Sequence, residues 1–250
     1  MLILNKMKEN VIQFKLKDIT EFLVYLESVN VNALSDKDKA NHYAELAKVN
    51  RDIGLIYYQQ EKSQTEIYKY FKEAGKNRYL MYMNSMGASI WTYEETICML
   101  YSFGNIELLN KLYTVPESVY RVPFHNEHEP LGVFIKQLIR FMLNQDVNMN
   151  ELIEIQEMCE NADMEEMRKE VLSGIKVLIS LVNQDEKEFN KHLHACINFH
   201  EETATKGYKN DLVDGFICFP VMAMKLLAFK RYSMSTSIES KYAPFFILEQ

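Results

Sequence analysis

Only eight glycines and five prolines interrupt 250 residues, and this scarcity of chain breakers constrains the fold more than any other feature. A sandwich or barrel needs a turn rich in such residues about every 8–12 positions, whereas long helices need almost none. Fourteen methionines, with many Leu, Glu and Lys, favour helix as well. The apolar pattern agrees: Leu131, Phe134, Ile135, Leu138, Phe141 and Met142 recur at the i, i+3, i+4, i+7 spacing that fills one face of a helix.

Three entrance signals place helix starts. Ser35 precedes Asp38, Ser63 precedes Glu66 and Asp185 precedes Glu188, each an N-cap residue three positions ahead of an acidic one. The pattern predicts helices over 8–29, 36–59, 64–86, 93–102, 106–113, 131–144, 150–160, 164–182, 186–203 and 212–231, followed by an irregular tail. Pro116, Pro123 and Pro130 fall close together with His125, Asn126 and His128, which marks a loop between two helical halves. The expected organisation is one all-helical domain over residues 1–250, with a sub-boundary in the 114–130 loop.

Antiparallel helix hairpins are the expected unit. Ile53 and Gly54 run through Tyr57 to Phe71 and Ala74, and Ser173 and Gly174 run through Val177 to Phe189, Leu193 and Cys196. Both are similar to a tetratricopeptide hairpin, in which a glycine permits close approach and an aromatic ring fills the groove. The array is therefore either a tetratricopeptide-like α-solenoid or an irregular helical bundle.

The same residues exclude several functions. A formal charge of −7 opposes binding to a phosphate backbone, which Lys and Arg must neutralise, so nucleic acid is not an expected partner. The longest apolar stretch, 212–229, is broken by Asp214, Pro220 and Lys225, short of the roughly 20 apolar residues of a membrane span. The first seven residues hold too short an apolar run for a secretory signal, so a cytoplasmic location is expected. Cys98, Cys159, Cys196 and Cys218 make no CxxC pair and read as free thiols.

Catalytic patterns are equally thin. No GxSxG elbow, phosphate-cradling Gly loop or reactive-cysteine signature occurs, so no enzyme activity and no cofactor are expected. His125, Glu127, His128 and Glu129 offer metal-ligand chemistry, but a loop presets no tetrahedral geometry and reads as a solvated segment. A metal-dependent hydrolase using His125 and His128 trails the binding readings. His192 and His194 stand about 200° apart on a helix and cannot chelate together.

Charge is more informative. Glu151, Glu154, Glu157 and Glu160 recur every three residues, and Asp163, Glu165, Glu166 and Glu170 follow, against only Arg168 and Lys169. The expectation is a negative helix side, opposite Leu152, Ile155 and Met158, that either stays solvated or steers a basic protein partner.

The C-terminal region adds a resemblance. Asp214 to Pro220, containing Gly215, Cys218, Phe219 and Pro220, leads to a helix through Leu226, Leu227 and Ala228 and then to Tyr242, Ala243 and Pro244 with Ile247 and Leu248. This is similar to the end of the bacterial immunity protein 49 family. The resemblance implies a cytoplasmic protein that binds and neutralises a cognate polymorphic toxin without a catalytic step, and the acidic helix side points to a basic face on that toxin. It also implies structural roles for the matched residues, with Pro220 bending a buried helix and Tyr242 and Pro244 docking the tail. The alternative is a helical-repeat adaptor or regulator that holds a peptide or protein in a groove.

Overall fold

The computed structural model describes residues 5–84, 89–114, 129–165, 167–236 and 238–244. The protein is all-α, with no strand among the described residues. They group into two compact units: one takes the described residues of 5–114 with Thr203–Ile217, the other those of 129–202 with 218–244.

The first unit contains α1 (Glu9–Ser28), α2 (Asp36–Gln59), α3 (Gln64–Met83), α4 (Ile90–Ser102) and α5 (Ile106–Tyr113). Its entrances form as the caps dictate. The Ser35 hydroxyl accepts from the Asp38 amide at 3.2 Å, and Ser63 and Glu66 cap each other's backbone in a full capping box. Between α2 and α3 the close approach expected at Gly54 is present: a Cβ there would lie 2.8 Å from the Phe71 ring. Any larger residue would have to displace that buried ring. On the other side of α2, Leu23 and Leu26 of α1 pack with Val49 and Ile53.

The second unit contains α6 (Glu129–Met142), α7 (Met149–Glu160), α8 (Leu172–Val182) and α10 (Phe219–Tyr232). Helix α9 (Glu186–Thr205) belongs to it as far as Glu202. All six periodic apolar residues of α6 are buried, as their spacing predicts. Asp185 caps α9, its carboxylate accepting from the Glu188 amide at 3.0 Å.

Three local expectations are corrected. The closing helix starts at Phe219, not Leu212; a 3-10 turn over Val213–Gly215 comes first, and Pro220 sits in the first turn. There its missing N–H costs nothing, so it opens the helix and does not bend it. The predicted helix over 164–182 includes a π-helical turn at Met167–Val171 before α8. Finally, the ring seated against Gly174 is Phe134 of α6, at 3.1 Å from a Cβ placed there, and not Phe189 of the following helix.

Candidate functional site

The acidic positions divide sharply. On a helix of 3.6 residues per turn, a three-residue step falls about 60° short of a full turn, so four such residues drift halfway round and cannot share one side. Glu151, at one extreme, turns inward: its carboxylate accepts from Gln137 Nε2 at 2.6 Å and from Asn148 Nδ2 at 2.9 Å, tying α7 to α6. Glu160, at the other, meets Lys176 Nζ of α8 at 2.9 Å. Hydrogen bonds from Lys176 first and Gln156 second hold the Glu160 carboxyl below the usual glutamate range.

Between these extremes Glu154 and Glu157 point to solvent, with exposed Ile153 and Met158 on their flanks. The outward face of α7 is thus two carboxylates framed by apolar side chains. Asp163 and Glu165 beyond it are exposed as well, Glu165 with Lys169 Nζ at 2.6 Å. Glu166 lies outside the described residues, as do His125, His128, Ile247 and Leu248.

The motif residues of the C-terminal region lie inside. In the first unit, a Cβ on Gly215 would come within 2.8 Å of the Lys209 carbonyl, so only glycine fits. In the second, Cys218, Phe219 and Tyr242 are buried, whereas Pro220 and Pro244 are half-buried. Two segments far apart in sequence meet where the Cys218 amide donates to the Tyr242 carbonyl at 2.7 Å. Lys225 completes the join: its buried ammonium donates to the carbonyls of Ala243 at 2.9 Å and Ile238 at 3.3 Å. The Tyr242 ring stands 5.5 Å from that of His200.

Burial foremost, and then nearby Glu201, push the Tyr242 phenol from 10.0 up to about 12. The unfolded chain therefore surrenders this proton first, and stability falls as pH rises from 10 to 12. A Tyr242→Phe protein is expected to lose less thermal stability across that window. Parallel declines of the two melting temperatures would contradict this.

Periodicity gave no sign of a charged network in the first unit. Arg51 of α2 donates through Nη2 to Asp52 at 2.9 Å and Asp214 at 2.7 Å, and through Nη1 to both Glu95 oxygens at 3.3 Å. Lys15 of α1 reaches the other oxygen of Asp52 at 3.3 Å. Burial disfavours the Arg51 cation, but the carboxylates of Glu95, Asp214 and Asp52 outweigh it and raise its pKa. The network joins α1, α2, α4 and a 3-10 turn, and apart from the adjacent Arg51 and Asp52 no local spacing encodes it.

Among the described residues no group of three or more His, Cys, Asp or Glu side chains is arranged to hold a metal ion. His192 is half-buried and 3.3 Å from Glu188, while His194 is exposed. None of the four cysteines is in a disulfide, and burial raises the Cys159 thiol to about 11, which suppresses its reactive thiolate.

The chain belongs to the immunity protein 49 family, whose sequence pattern matches residues 57–247. No curated protein and no solved structure matches it. Among the described residues no helix is long and apolar enough to cross a membrane.

Proposed function

We propose that this protein is the antidote to a polymorphic toxin made by the same cell, binding the toxin in the cytoplasm and occluding its active face without a catalytic step. The family match over 57–247 carries this reading. Four cysteines outside any disulfide suit a reducing compartment, and the net charge of −7 suits a toxin with a basic face.

Glu154 and Glu157 on α7 serve to steer that partner, because they are exposed and have no ion pair among the described residues. Reversing both to Lys, with Glu151 and Glu160 left to their internal bonds, is expected to slow association about tenfold or more at low salt and to flatten its salt dependence. Far-UV circular dichroism should stay the same. Stopped-flow association identical to wild type would remove α7 from the mechanism. The function itself is tested by growth: cells expressing a toxin domain encoded by a gene adjacent to that of this chain, the neighbouring toxin domain, should survive only when this chain is co-expressed.

A further inference from the structure

Helix α1 carries two apolar faces where a surface helix needs one. The inner face, Ile12, Leu23 and Leu26 with partly buried Leu16 and Ile19, is used in packing. On the other side Val11, Phe14, Phe22 and Tyr25 are exposed at 46%, 67%, 39% and 62%. With Asp18 they fall within about 80° of helix circumference, a single stripe along the whole element. The Phe22 and Tyr25 rings stack at 6.1 Å, which gives the stripe a preformed aromatic end.

Large exposed aromatic side chains aligned on one face mark interaction surfaces, and such residues dominate binding energies when a partner desolvates them. The middle of the stripe tells what covers it. Asp18 is exposed there and has no ion pair among the described residues, and Glu21 beside it is only loosely shared with Lys17 at 3.9 Å. Pairing with a second copy over the full length of the stripe, parallel in register or antiparallel about its middle, would set Asp18 against its own equivalent. A basic surface would instead place Lys or Arg there, with apolar groups to either side. The family match begins at residue 57, so α1 lies in the part of the chain where a fit to one particular toxin can vary independently of the common pattern.

We infer that the outward face of α1 is the anchor that holds the toxin, its aromatic stripe covered by apolar side chains and Asp18 paired with a toxin Lys or Arg. This rests on the toxin-binding reading above. It assigns α1 a role in dissociation, in contrast to the steering role of α7 in association.

The probe is the neighbouring toxin domain, inactivated by substitution, titrated against the full chain. Phe14→Ala with Tyr25→Ala is expected to raise Kd about 30-fold or more, mainly through faster dissociation, with unchanged circular dichroism and melting, since both rings are exposed. Asp18→Lys alone is expected to weaken binding at least tenfold. Wild-type affinity in the double variant, with wild type itself binding, would overturn the anchor and leave the toxin reading intact. No binding by wild type would overturn both. A wild-type dimer at micromolar concentration that Phe14→Ala dissociates would assign the stripe to a second copy and overturn the proposal.

Discussion

Replacing Arg51 with methionine is expected to cost about 3–5 kcal/mol of folding stability, among the largest effects of any single substitution in the first unit. The reason is asymmetry. Methionine fills much of the volume, but Asp52, whose side chain is 5% exposed, keeps its charge and loses its closest cation. Glu95 and Asp214 are stranded to a smaller degree, because they are 22% and 43% exposed and water can reach them. Adding Asp52→Asn to the methionine variant should recover part of the loss, since the worst buried charge is then gone. Urea unfolding measures both. A midpoint within experimental error of wild type for Arg51→Met would show that these carboxylates are solvated.

Phe219→Ala is expected to cost about 3–5 kcal/mol in the second unit. The ring is 4% exposed at the first position of α10, beside the Cys218 amide that holds the tail through Tyr242. Truncation would open a cavity where helix start and tail meet, whereas Phe219→Leu should cost under about 1.5 kcal/mol. Because Phe219 sits inside, the folded fraction of the alanine variant should bind the toxin with an unaltered association rate. A negligible shift in unfolding would contradict the packing; normal stability with lost binding would make Phe219 a contact residue instead.

Much of this fold is legible in the sequence because its signals are local. Ser35, Ser63 and Asp185 cap helices where their spacing says they should, and the α6 stripe is buried residue by residue. Gly54 works because hairpin neighbours are close in the chain, and Phe71 is the ring that fills its groove. Local signals also mislead. Pro220 reads as a kink only if the helix is begun at Leu212, and the three-residue glutamate spacing reads as a stripe only if the 3.6-residue turn is rounded down.

What stays hidden is non-local. Arg51 and Asp214 are 163 positions apart, and Lys225 and Ala243 are joined only because the tail folds back over α10. The α1 aromatics are legible as apolar but not as exposed, because periodicity marks which side chains are apolar and not which of them a neighbour covers. The C-terminal motif pointed to the family from about 40 residues, whereas the common pattern extends over 57–247.

The central claim is that this chain neutralises a toxin by holding it in a stoichiometric complex. Light scattering coupled to size exclusion, with the purified chain and the inactivated neighbouring toxin domain, tests it most directly. The expected result is a one-to-one complex that persists at sub-micromolar concentration, with the active toxin losing activity in proportion to the chain added and saturating at one equivalent. Separate elution of the two proteins, or loss of toxin activity at far less than one equivalent, would contradict it, the second because only a catalyst could act substoichiometrically.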